Sequence, residues 1–213
     1  MRRAVLIALV AAVLGACGSG TQAPVLEGDP ARFLLKLDQL VSPGFHVYAA
    51  AHKIDATAIA TPAAPATGPS PTPDSSVLRR LQQGNLQAAG TVSFSRLVNF
   101  DTRDFATSDG PLFVNSTLER FATPAGAAAT YSADIAARDA SGENPLSTGP
   151  LGDAAHADSV VRETPGGAQA VQITIEWRLA NLVNVLVVRG RYGGARLVDA
   201  LTLAHRQATN ESV

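Results

Sequence analysis

The stretch "VQITIEWRLANLVNVLVV", residues 171–188, decides the fold. In its first half Val171, Ile173, Ile175 and Trp177 alternate with Gln172, Thr174, Glu176 and Arg178. That period of two belongs to a strand with one face on a core and the other wet. From Leu182 to Val188 apolar residues fall on both sides of the chain, so this second strand is central or covered on both faces. Ala180-Asn181 joins the two as a hairpin turn.

Working outward, strands are expected over Asp158 to Glu163, Ala168 to Trp177 and Leu182 to Arg189, with Pro165-Gly166-Gly167 at the first joint. "LQAAGTVSFSRLV" (86–98), "PLFVNSTLERFA" (111–122) and "FHVYAAAHKI" (45–54) also read as strands. Helices are set apart from them. Asp29-Pro30 is a cap followed by proline, and Phe33, Leu34, Leu37, Leu40 and Val41 recur at helical spacing up to Ser42-Pro43-Gly44. Ser75 or Ser76 can cap a short helix carrying Val77, Leu78 and Leu81. Thr123-Pro124 opens an alanine-rich helix to about Ala140, and a loop runs on to Gly152. After Tyr192-Gly193-Gly194 comes a last helix with Leu197, Leu201, Ala204 and Ala208 facing inward. Strands in runs with separate helices predict an α+β fold, a single antiparallel sheet with helices packed mainly on one face.

Composition bounds the rest. The 213 residues are 46% hydrophobic, but much of that is alanine and only 5% is aromatic, so the core is lightly built. The length fits one domain, expected over 29–210. Thr61 to Ser76, "TPAAPATGPSPTPDSS", is too rich in Pro, Ala, Ser and Thr to bury apolar area, and reads as a disordered insertion within that domain. The 32 residues from Asp29 to Ala60 are too few to fold without staples, which argues against a domain boundary at the insertion.

The amino terminus, "MRRAVLIALVAAVLGAC", has two arginines, an apolar run from Ala4 to Val13, and small residues before the only cysteine. This is the layout of a secretory signal, too short to span a bilayer. Leu14-Gly15-Ala16-Cys17 resembles the lipobox of bacterial lipoproteins. The resemblance implies a signal peptide over 1–16, a diacylglyceryl thioether on Cys17, acylation (palmitate among the chains) of its new amine, and a flexible tether over 17–28. It also implies a cell-membrane location, lipid-anchored on the extracytoplasmic face. Two or three acyl chains hold a protein at a membrane where one does not. Cleavage removes Arg2 and Arg3 and takes the formal charge from −1 to −3. That mild acidity, without a basic patch, argues against nucleic acid as a partner.

No catalytic motif stands out: G-x-S-x-G, H-E-x-x-H, the P-loop and G-x-G-x-x-G are all absent. His46 and His52 lie six apart, wide for shared metal ligation, and His205 near the end of the last helix complements its dipole. In "LGDAAHA", residues 151–157, Asp153 and His156 have the spacing of an acid–base pair, but a Gly-Asp turn whose side chain caps backbone amides is the plainer account. Asn115-Ser116-Thr117 and Asn210-Glu211-Ser212 match the glycosylation sequon, which a bacterial lipoprotein has no general reason to use. No catalytic residue, metal ligand or cofactor is assigned.

The order "SPGF", "LRRLQQGNLQAAGTVSFSR", "LERFATPAGAAATY", "LGDAAHA", "TIEWRLANLVNVLVV" resembles a broad set of uncharacterised bacterial α+β lipoproteins and, more distantly, PsbP-type domains. Those families imply a non-enzymatic accessory role. The expected function is therefore a binding or accessory module for an apolar ligand or an envelope protein, the alternatives being a structural envelope-assembly lipoprotein and a hydrolase assembled only in the fold. The candidate surface is Trp177 with Val183, Val185 and Val187, at the strand that shows apolar residues on both faces.

Overall fold

The computed structural model describes residues 25–55, 82, 84–97, 107–164 and 166–211. The expected signal peptide, Cys17, the insertion at 61–76 and the short helix at 77–81 lie outside them.

Seven strands form one antiparallel sheet: β1 (His46–Asp55), β2 (Leu86–Ser95), β3 (Pro111–Phe121), β4 (Asn144–Leu146), β5 (Ala154–Glu163), β6 (Gln169–Leu179) and β7 (Leu182–Arg191). Their spatial order is β1-β2-β3-β7-β6-β5-β4. Two meanders thus run in from opposite edges and meet where β3 pairs with β7. This places β7 at the centre and explains why residues 182–188 are apolar on both sides. Ala180 holds a left-handed conformation (φ 52°) in the β6–β7 turn.

The helix α1 (Pro124–Ser141) connects the two meanders, and α2 (Leu197–Asn210) follows β7. Thr123 caps α1, its hydroxyl oxygen accepting from Gly126 N at 3.1 Å, and Pro124 begins the first turn. Gly142 ends it in the left-handed region (φ 74°). Gly126 is required for close approach, because a Cβ there would lie 2.2 Å from the Gly84 carbonyl oxygen.

The helices lie on opposite faces of the sheet, not mainly on one. On one face Ala200, Leu203 and Ala204 of α2 pack with Ile173, Ile175, Trp177, Leu186 and Val188, and Leu34 and Leu35 complete the layer beside Val92, Phe94 and Val114. On the other, Ala127 and Tyr131 of α1 meet Leu86, Phe121 and Val183. The cause is β7, which is apolar both ways and needs two covers. The inward stripe of α2 is Ala200, Leu203, Ala204 and Gln207, with Leu197, Leu201 and Ala208 at its margins.

The expected amino-terminal helix is instead a strap with two single 3-10 turns, Pro30–Arg32 and Leu37–Gln39. The cap was legible, since Asp29 Oδ1 accepts from Ala31 N at 3.0 Å. Helix fails because tertiary bonds compete for the backbone: Leu35 N donates to Ser116 Oγ, and Asn210 Nδ2 donates to the Leu34 carbonyl. At Gly90 of β2 the strap lies directly on the sheet, where a Cβ would stand 2.9 Å from Ala31 N. Because β1 pairs with β2 and Leu34 and Leu35 join the main core, the chain on both sides of residues 61–76 shares one sheet and one core.

Candidate functional site

The sequence-derived surface is not assembled. Trp177 stands opposite Asn184 in the β6–β7 register and faces α2, fully buried. Val183, Val185 and Val187 pair with Arg178, Glu176 and Thr174 and face α1. The sheet separates the indole from all three valines. Trp177 belongs to the core, in a polar network with Asn184 at its hub. With its amide oxygen toward the indole, Asn184 accepts from Trp177 Nε1 at 3.2 Å and donates to Glu211 Oε1 at 3.1 Å. Gln207 Nε2 lies 3.0 Å from the same amide, and Gln207 Oε1 accepts from Ser116 Oγ at 2.7 Å. Burial pushes the Glu211 carboxyl up to about 8, partly offset by its bonds to Asn184 and Trp177.

The α1 face carries the richer chemistry. Burial there contradicts the expected wet face of β6: Thr174 and Glu176 are both 1% exposed, because α1 and its flanking chain lie over them. A cavity of about 370 Å³ opens between α1 and the sheet, lined by Glu119, Asp134, Arg138, Glu143, Glu176 and Val185 among others. Arg138, in the last turn of α1, reaches three carboxylates. Its Nε lies 3.3 Å from Glu176 Oε2, and its Nη1 lies 3.6 Å from Asp158 Oδ2 and 3.7 Å from Glu143 Oε2. His156 Nε2 stands 3.7 Å from Asp158 Oδ2. Burial, followed by the adjoining Glu143, pushes the Asp158 carboxyl up to about 7. Glu143 moves down, chiefly through its hydrogen bond with Asp158.

The acid–base pairing of Asp153 with His156 does not form; His156 turns to Asp158 instead. Asp153 behaves as the turn residue expected, its Oδ2 accepting from Ala180 N at 2.8 Å and pairing with Arg178 at 3.0 Å. His52 bonds locally to the Ala50 carbonyl. Among the described residues no group of three His, Cys, Asp or Glu is placed to hold a metal ion. None of the described helices is long and apolar enough to cross a membrane. Sequence reading missed the cluster around Arg138. Its one signal was Glu176, the one acidic residue of β6.

Beyond α1 the same face is a ladder of polar side chains. Asn115 Nδ2 donates to Ser93 Oγ at 2.9 Å and to Thr91 Oγ1 at 3.2 Å, and Thr117 Oγ1 donates to Asn115 Oδ1 at 3.1 Å. At its far end lie Gln172, Val160, Arg162 and Arg189, around a depression of about 530 Å³. Arg189 donates to Gln172 Oε1 at 2.8 Å and lies over the Phe113 ring at 5.6 Å.

No family model and no curated protein matches the chain. Its fold is similar to that of the extracellular domain of PknH from Mycobacterium tuberculosis, with a TM-score of 0.54 and 11% identity over 91% of this chain and 99% of that one. At that identity the likeness is one of architecture, which among the described residues of this chain is a seven-stranded antiparallel sheet with two α-helices.

Proposed function

We propose that the chain is a lipid-anchored lipoprotein of the extracytoplasmic membrane face, acting as a non-enzymatic binding or accessory module for an envelope partner. The observation that carries the reading is Leu14-Gly15-Ala16-Cys17 following Arg2-Arg3 and a short apolar run. Two further features support it. The fold is like that of a domain described as extracellular. The chain entering the domain is also fixed at one point: Asn181 accepts from Leu26 N at 2.7 Å and donates to the Leu26 carbonyl at 3.1 Å. The nine Cα–Cα steps from Cys17 to Leu26 span at most about 30 Å, so the β6–β7 end of the sheet stays near the bilayer.

The polar ladder and the charged cavities favour a partner with a hydrophilic surface over an apolar ligand, since the apolar residues proposed for such a ligand lie on opposite faces. The division of Asp153 from His156 supports binding over hydrolysis. The test is acylation. Wild type should incorporate radiolabelled palmitate and fractionate with membrane, whereas Cys17→Ala should carry no label and accumulate as precursor. Equal labelling of the two would overturn the reading.

A further inference from the structure

Two of the three carboxylates around Arg138 are almost fully buried, Asp158 and Glu176 at 1% exposure each. One guanidinium cannot balance three ionised carboxylates in so little water, because each uncompensated buried charge costs several kcal/mol, of the order found for desolvated ions. Neither oxygen of Asp158 makes a full hydrogen bond, although Arg138 lies near Oδ2 and the Thr174 hydroxyl and Glu143 adjoin the carboxyl. A proton held between Asp158 and Glu143 supplies a strong hydrogen bond there and removes one charge. The two residues also sit at a mechanical junction. Glu143 immediately precedes β4, the three-residue edge strand that pairs only with β5, where Pro145 lies opposite Asp158. Arg138 comes from the end of α1, and Glu176 from β6.

We propose that this cluster is a proton-dependent clasp: one proton shared by Asp158 and Glu143 fastens the α1 carboxy-terminal turn and the β4 edge to the sheet, and its loss frees that edge. The charged groups facing the pair are Arg138 and Asp134 from α1, His156 and Arg162 from β5, Glu176 from β6 and Glu119 from β3. In the closed state Asp158 keeps its proton to about 7, whereas in an opened, solvated state it returns to the ordinary carboxylate range. The closed state therefore binds more protons between those limits. Its advantage is complete at low pH, declines as pH rises through that interval, and is level above about 7. Opening exposes the backbone of β5 over 157–159, an edge on which another strand can add.

Hydrogen exchange of the whole chain, corrected for intrinsic rates, tests this on peptides covering 142–147 and 156–160. In wild type the opening constant should rise between pH 5 and 7, by at most about tenfold per pH unit, and then level. Asp158→Asn keeps a neutral donor, so its protection should stay high and independent of pH. Glu143→Gln offers its own amide donor to Asp158 and should likewise lose the slope; it serves as the second variant if Asp158→Asn does not fold. A wild-type opening constant that is flat from pH 5 to 8, or a variant that keeps the wild-type slope, would overturn the clasp.

Discussion

The two faces of the sheet differ in kind. Under α2 and the strap the large side chains Trp177, Phe94, Ile175, Leu186 and Leu203 are packed without exposure, and the polar atoms among them bond to one another. Under α1 the apolar contact is small, Leu86, Phe121, Ala127 and Val183, and gives way to carboxylates, a guanidinium and a ladder of hydroxyl and amide groups. Burial of apolar area is the main source of stability. The α2 face therefore holds the fold, and the α1 face, which contributes less, is where charged and hydrogen-bonding groups collect.

Substitutions can break this comparison. The largest effect belongs to Trp177→Ala, which empties the centre of the α2 layer and leaves Asn184 without its indole donor; a loss of about 3–5 kcal/mol is expected in chemical denaturation. A loss below about 1 kcal/mol would place the indole outside the core.

Asn181→Ala comes next. The residue is fully buried, and its side chain also donates to the Phe121 carbonyl at 2.9 Å. Removing it strands the Leu26 and Phe121 backbone groups, for a loss of about 2 kcal/mol. Proteolysis near residues 26–35 should accelerate, because the strap loses the bond that fixes its start. Unchanged cleavage would mean that the strap is held by Leu34 and Leu35 alone.

A smaller effect, and a gain, is expected from Glu211→Gln. The native carboxyl titrates at about 8, above its ordinary value, so the folded state binds the extra proton over that interval. Wild-type stability should fall as pH rises from about 4.5 to 8, and Glu211→Gln should lack this fall and exceed wild type by about 1–2 kcal/mol at pH 8. Parallel stability-against-pH curves for the two proteins would contradict the assignment.

Much of the sheet was legible because period-two alternation survives wherever one face is apolar. Val114, Ser116 and Leu118 separate from Asn115, Thr117 and Glu119 in the sequence alone, and β7 declares its central position by being apolar both ways. The start of α1 was equally readable from Thr123-Pro124. The strap was not, since Phe33, Leu34, Leu37 and Leu40 keep helical spacing while Ser116 and Asn210, each more than 80 residues away, take the backbone bonds. Strand β4 was also missed, because "NPL" is three residues long and contains a proline that suits only an edge. The candidate surface failed for a topological reason. Trp177 and Val183 are near in sequence, but the parity that the two-residue turn imposes puts them on opposite faces. The Arg138 cluster gathers residues from α1, β4's flank, β5 and β6, and no local pattern announces such a meeting.

The most direct test of the unequal faces uses two neighbours of one type on β7. Val188 is fully buried under the α2 layer, whereas Val187 points to the α1 face and is half-buried. Both Val→Ala changes remove the same atoms from adjacent positions of the central strand, so propensity and chain location cancel. Chemical denaturation should show a loss of about 2 kcal/mol or more for Val188→Ala and less than about 1 kcal/mol for Val187→Ala. Equal losses, or a larger loss at Val187, would contradict the division of the sheet into a face that holds the fold and a face that contributes little to it.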